Sequence, residues 1–385
     1  MRKPASQRRT KLAGDEAPRR LAWPGLRVLL GRSEAAPSKA SRIPRGWPIA
    51  EEGRRNRRLS SSDRNPAMRA VVLGKSPRFV TDHPDPRPQS GECLVRVRLA
   101  GLCATDVQLV RGYMNFRGVL GHEMVGTVVQ GSSAWKGKRV VAEINCVCGQ
   151  CDMCHAGLSH HCRRRTVMGI AGRDGCFADH LAVPERNLHL VPDALADEEA
   201  VFVEPLAAAY QVIAQCPVDS RTKVSVVGTG KLGLLVAQVL ASKRCRLIAV
   251  GRNPATLTMC DKLGIQAVHV NELEAKQDQD LVVECSGSPR GLEVAMQLVR
   301  PRGTIVLKST CAEPASLNLA SIVVNEVNVL GSRCGPFPEA INALARRAVE
   351  VRLLISRVFP VEQALQALDA STSPENLKIL LHLDR

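Results

Sequence analysis

The stretch KVSVVGTGKLGLLVAQVLA, residues 223–241, constrains the fold more than any other part of the chain. A valine-rich apolar run stops at Gly228, the pattern GxGxxG continues through Gly230 and Gly233, and a helix-periodic segment follows. In a strand, turn and helix of this kind the first glycine allows the tight turn. The second lets a pyrophosphate approach the backbone, and the third lets helix and strand pack closely. The phosphates would sit at the helix N-terminus, where unpaired N–H groups and the helix dipole favour anions. Gly228, Gly230, Leu232 and Gly233 are therefore candidate cofactor contacts.

The same rhythm continues downstream. Short apolar runs (CRLIAVG, AVHV, DLVVECSG, GTIVLKS) alternate with helix-like segments such as PATLTMCDKLG. Continuous apolar strands between helices predict a parallel sheet covered on both faces, a doubly wound α/β domain. About twenty residues beyond the glycines, a site that prefers NAD places a carboxylate at the end of the second strand. Here that strand ends in Gly251 and Arg252. Without the carboxylate a 2′-phosphate is not repelled, and an arginine can pair with it, so NADP is favoured over NAD.

The text upstream is different. From Met68 to about residue 190, short runs such as MRAVVLG, GECLVRVRLAGLC and GHEMVGTVVQG carry the period of two expected of half-buried β structure. The tail beyond residue 335 reads as helical with one last strand. No stretch approaches the roughly 18 apolar residues of a membrane helix, and no signal peptide opens the sequence. Fourteen cysteines in 385 residues then point to metal ligands in a cytoplasmic protein before disulfides.

The net charge of +16 is unevenly spread, since residues 1–67 hold 17 Lys/Arg against 6 Asp/Glu. This segment is rich in Arg, Pro and Ser without apolar periodicity, and is expected to be a disordered basic extension, with Met68 as the alternative first residue. A nucleic-acid-binding arm or a transit peptide would also be arginine-rich. Asp15, Glu16, Glu34, Glu51 and Glu52 count against the transit peptide.

Two further segments carry chemistry. AGLCATDVQL (100–109) and GVLGHEMVG (118–126) supply a cysteine, a histidine and a glutamate. Mixed S, N and O donors suit a zinc that keeps one position open. Five more cysteines crowd NCVCGQCDMCHAGLSHHC, residues 145–162.

With GLCATD, GHE, the cysteine cluster, VEPLA and GTGKLG in order from Met68 onward, the chain resembles the zinc-dependent medium-chain alcohol dehydrogenases of the polyol and threonine dehydrogenase branches. The resemblance implies a Rossmann domain (213–334) inserted in a β-rich GroES-like catalytic domain (68–212 and 335–385), assembled as a homodimer or homotetramer. It implies two zincs per chain. Cys103 and His122 match the catalytic ligands, Glu123 and Glu204 are alternatives for a third, and either could instead bind the water on the metal. Asp106 matches the carboxylate that orients the histidine, and Thr105 the hydroxyl that takes the substrate proton. Many relatives continue the proton relay through a histidine where this chain has Gln108, which does not titrate. Cys148, Cys151, Cys154 and Cys162 reproduce the spacing of a closed structural zinc, with no vacancy for chemistry. Cys146 falls outside that pattern, and His155, His160 and His161 are possible substitutes. Tyr113, Phe116 and Phe177 are candidates to line a substrate pocket.

The implied reaction is hydride transfer between a secondary alcohol (polyol, sugar or amino alcohol) or its ketone and NAD(P). Two other readings stand beside it. One is a nucleic-acid-binding protein using the cysteine lobe and the basic arm, disfavoured by the compact cysteine spacing and by 3% aromatic content. The other is a catalytically silent relative that only binds cofactor.

Overall fold

The glycine-rich stretch begins as expected, with the strand Lys223–Val227 leading through the turn into the helix Lys231–Ala241. In the computed structural model, which describes residues 67–310 and 318–384, this strand lies inside a six-stranded sheet whose pairings are all parallel. In space the strands run Ala267–His269, Arg246–Gly251, Lys223–Val227, Gln279–Glu284, Val299–Leu307 and Asn328–Gly331. This is the doubly wound order 3-2-1-4-5-6, whose switch point falls beside the first strand, where dinucleotides bind. The central strands are valine-rich and buried along almost their whole length, as a sheet covered on both faces requires.

The first part of the chain forms a seven-stranded sheet around Glu92–Gly101. In that strand Cys93, Val95, Val97 and Leu99 alternate inward, the period of two read from the sequence. Glu123–Gln130 pairs along one side of it, and His180–Pro184 and Lys378–His382 share the other. The tail thus returns to the first sheet. It does so with two strands rather than one, because Ile355–Pro360 pairs parallel to Lys378–His382. A small three-stranded sheet (Asn145–Cys146, Thr166–Met168, Gly172–Arg173) frames the cysteine lobe.

One hydrophobic core joins the two sheets. Leu99, Val125 and Leu380 from the first pack in the same cluster as Val226 and Val283 from the second, together with Leu234 of the helix Lys231–Ala241 and Val203, Leu206 and Val212 of the helix Val203–Gln215. No described helix is long and apolar enough to cross a membrane. The basic segment expected to be a disordered extension lies, except for its last residue, outside the described residues.

Candidate active site

Strand register brings the first cluster together. In the antiparallel pair, Gly101 lies opposite Glu123 and Ala100 opposite Met124. Leu102 and Cys103, leaving one strand, therefore run past His122, which enters the other. Cys103 then serves as N-cap of the helix Ala104–Val110. The ligand atoms of Cys103, His122 and Glu123 all lie within 4.8 Å of one another. Asp106, fully buried, accepts the Cys103 backbone N–H through Oδ2 at 2.8 Å, while its Oδ1 stands 3.2 Å from His122 Nδ1. One carboxylate thus holds the start of the helix and faces the imidazole, leaving Nε2 as the nitrogen not facing it. Burial alone would lower the His122 pKa, but the Asp106 carboxylate and the Cys103 sulfur hold it well above its ordinary value. Burial would likewise push the Cys103 thiol up, yet the imidazole beside it brings it down to about 6. Thr105 Oγ1 is 3.7 Å from Cys103 Sγ, and Gln108 is partly buried one helical turn beyond Thr105.

Sequence reasoning missed Lys378. Its ammonium forms a fully buried ion pair with Glu123 Oε2 and also donates to Leu102 O at 3.4 Å. Space for the pair exists because residue 101 is glycine, where a Cβ would overlap the Glu123 carboxylate and the Lys378 side chain. The available signal was a lysine embedded in the apolar strand KILLH, all of it buried except the last residue. Glu204, in the first turn of Val203–Gln215, is not among the ligand atoms that converge within 4.8 Å. Burial pushes its carboxyl up to about 7, against the pull of His122, so it shares the same electrostatic environment.

The second cluster is Cys148, Cys151, Cys154 and Cys162. Their sulfurs stand 3.5 Å (151 to 154), 3.8 Å (151 to 162) and 3.5 Å (162 to 148) apart. Thiolates about 2.3 Å from a shared zinc form a tetrahedron with edges of about 3.8 Å, whereas a disulfide would bring two sulfurs to about 2 Å. The backbone N–H groups of Gln150 and Cys148 donate to Cys148 Sγ and Cys162 Sγ. The first of these is the leading reason the Cys148 thiol is held down to about 6. The donor set and spacing fit zinc. Cys146 is buried outside the group, against the Asn187 side chain. His155, His160 and His161 are not in it either among the described residues, and His160 instead lies 3.7 Å from Glu143.

Each glycine of the turn meets a different environment. Gly228 has φ +105° and a Cβ there would overlap the backbone at Cys285 and Ser286. At Gly233 a Cβ would fall on Gly228 O, so that glycine lets the helix sit against the turn. At Gly230 a Cβ would meet nothing within 4 Å. The open face of the turn thus lies over the second glycine, where a pyrophosphate is expected to approach. Leu232 is partly buried on the following helix turn, and Arg252 is exposed just past the second strand. Phe177 and Phe116 are buried in the core of the first sheet, with Tyr113 packed against it.

Comparison with known proteins agrees with this architecture. Residues 89–193 match the alcohol dehydrogenase GroES-like domain and residues 232–350 the zinc-binding dehydrogenase domain. A sorbitol dehydrogenase from Halalkalibacterium halodurans is 28% identical over 340 residues, covering 82% of this chain and 99% of that protein. Among solved structures, a protein from Sinorhizobium meliloti 1021 bound to NADP superposes with TM-score 0.75 at 28% identity, over 83% of this chain and 100% of that one. A short chain alcohol dehydrogenase from Escherichia coli CFT073 complexed with NADH gives TM-score 0.76 at 26% identity, over 82% of this chain and 99% of that one. Two matched domains in the order GroES-like then zinc-binding define a medium-chain dehydrogenase. The chain belongs to the zinc-dependent medium-chain alcohol dehydrogenase family.

Proposed function

We propose that this enzyme interconverts a secondary alcohol of polyol, sugar or amino-alcohol type and its ketone, with NADP as the favoured cofactor. The observation that carries the reading is the closeness of the two clusters of chemistry. Lys231, inside the glycine turn, reaches the carbonyl of Leu102, the residue before Cys103. A nicotinamide dinucleotide lying over Gly230 would thus end beside Cys103 and His122.

On this reading Cys103 and His122 hold a catalytic zinc, with Glu123 or Glu204 as the third ligand. Cys148, Cys151, Cys154 and Cys162 hold a second, structural one. A zinc in the first site supplies Lewis acidity toward the substrate oxygen, and the nicotinamide exchanges the hydride. Asp106 keeps the His122 ring in one orientation and tautomer. Thr105, whose hydroxyl lies 3.7 Å from Cys103 Sγ, would accept the alcohol's hydroxyl proton while giving up its own hydrogen onward. Gln108 can pass on a hydrogen bond but does not titrate, so the relay beyond Thr105 does not run through a titrating side chain at that position. The polyol class is supported by the sorbitol dehydrogenase relative. NADP is supported by the exposed Arg252 and by the NADP-bound Sinorhizobium structure.

A homodimer is the proposed assembly. Asn328–Gly331 is the edge strand of the six-stranded sheet, and Leu319, Val323, Val324 and Val329 are exposed beside or on it.

Metal analysis together with a panel of polyols and amino alcohols, followed by absorbance with NAD and NADP in parallel, tests the proposal. Two zincs per chain and turnover are expected, and Cys103→Ala should lose one zinc and the turnover. Unchanged turnover in Cys103→Ala would reject the site.

A further inference from the structure

Two basic residues follow strands of the parallel sheet at their carboxyl ends, the end at which ligands of such sheets bind. Lys308 comes after Val299–Leu307, and Arg333 after Asn328–Gly331. Lys308 is buried and donates to Ala208 O at 2.7 Å, Arg333 O at 2.9 Å and Ser332 Oγ at 3.2 Å. It therefore pins the backbone from which Arg333 extends. The Arg333 guanidinium reaches toward the cysteine lobe, where Nη2 donates to Asn145 Oδ1 at 3.1 Å and to His160 O at 2.7 Å.

Arg165 comes to the same place from the lobe itself. Its Nη1 makes a long contact, 3.4 Å, with Cys162 O, two residues along the chain from the carbonyl that Arg333 uses. Its Nε is buried without a hydrogen-bond partner. Burial and the neighbouring Arg333 charge both pull its pKa below the ordinary guanidinium value. Among the described residues neither arginine forms an ion pair with a carboxylate, and Glu143, near His160, is shared by the imidazoles of His160 and His189. The sulfurs that favour the Arg165 charge are those of Cys334 and Cys162. Burial pushes the Cys334 thiol up and keeps it protonated, and Cys162 belongs to the four-sulfur cluster. Two guanidiniums side by side repel each other, and a ligand of opposite charge removes that cost.

The pair stands beside the catalytic cluster. Asn145, which accepts from Arg333, donates through Nδ2 to Cys334 Sγ at 3.2 Å. Cys334 shares an electrostatic environment with Glu204, and Glu204 with His122 and Cys103. Outward from Cys103 and His122 the order is thus Glu204, Cys334, then Arg333 with Arg165. A substrate that follows this line brings its far end to the two arginines.

We propose that Arg333 and Arg165 bind a terminal carboxylate or phosphate on the substrate, so that the preferred alcohol is anionic rather than a neutral polyol. The inference rests on the functional reading above for the reaction at the other end of that substrate. Guanidiniums suit the role because their planar fork of N–H donors matches both anions and keeps its charge at every working pH. The anion would also give Arg165 Nε the acceptor it lacks.

The test uses the full chain. Neutral polyols are compared with the aldonates and polyol phosphates of the same length and configuration, by kcat/KM and by calorimetric binding, at low and moderate salt. The proteins are wild type, Arg333→Met, Arg165→Met and Arg333→Lys. Wild type should favour an anionic compound over its neutral counterpart by about 10- to 100-fold, the range for a hydrogen bond to a charged group. That ratio should shrink as salt rises, fall toward one in each Met variant and survive in part in Arg333→Lys. Preference for the aldonate or for the phosphate supports the site equally and tells the two anions apart. Neutral polyols used as well as their anionic counterparts, or a preference that persists in both Met variants, would overturn the assignment. So would equal losses for charged and neutral substrates, which mark a merely structural role. Arginine-dependent binding of aldonates or phosphates without turnover of any alcohol would instead overturn the functional reading and leave the anion site standing. Neither binding nor turnover would remove both.

Discussion

At the scale of single residues, buried charges decide most. Removing the Lys378 ammonium leaves the Glu123 carboxylate buried without that counter-charge. Lys378→Met is therefore expected to destabilise the fold by about 3–5 kcal/mol, and the double variant Glu123→Gln/Lys378→Met to recover much of that. Urea unfolding of the three proteins measures it, and equal losses in single and double variants would refute the coupling. Glu143 offers a pH test away from the catalytic cluster. Burial raises its pKa, but His160 and His189 outweigh that and hold it at about 2, below the ordinary 4.5. A carboxyl with a lowered folded-state pKa stabilises above the unfolded value and loses that contribution as pH falls toward the folded one. The wild type should thus lose stability relative to Glu143→Gln between about pH 4.5 and 2, as read from Tm across that range. Parallel curves for the two proteins would refute it. Cys103, His122 and Asp106 were legible because each sits in a short motif whose spacing the strand register preserves. Lys378 was not, since its partner lies 255 residues away and no local pattern links them.

Elements make sharper contrasts. Gly230→Ala adds a methyl group to open space at an ordinary φ of −75°, so the protein should fold as before yet bind dinucleotide more weakly. Gly233→Ala drives a methyl group onto a backbone carbonyl and should cost stability, roughly 1–3 kcal/mol for overpacking. Thermal melts and NADPH titrations of the pair distinguish the two roles, and identical melts would contradict the packing argument. In the cysteine lobe, Cys162→Ser should remove one zinc equivalent and expose residues 145–173 to protease while the remainder resists. A variant that keeps two zincs would contradict the four-sulfur site. The parallel strands were legible because burial on both faces leaves an unbroken valine-rich run. Ile355–Pro360 was not, since only Phe359 of it is buried and its pairing with Lys378–His382 makes it a strand.

For the whole molecule, the order of modules was written in the motifs, but the way they join was not. Helical periodicity in the tail carries no information about which sheet it rejoins. The answer depends on Leu380 and Leu381 fitting beside Ala100 and Gly101. The exposed valines at the edge of the six-stranded sheet predict a change of assembly. Val323→Asp with Val329→Lys should shift a dimer to monomer in sedimentation, with the fold retained. An unchanged sedimentation coefficient would place the contact elsewhere.

The return of residues 378–382 to the first sheet also has a consequence in time. As the chain is made from its N-terminus, Cys103, His122 and Glu123 emerge long before the lysine that balances Glu123. The four cysteines of the lobe span only fifteen residues and need close only a short loop. A metal held by these four sulfurs would therefore be captured early in synthesis. The cluster of Cys103, His122 and Glu123 must wait until the inserted parallel sheet has been made and the last strand arrives, so an unfinished chain leaves the Glu123 charge without its lysine.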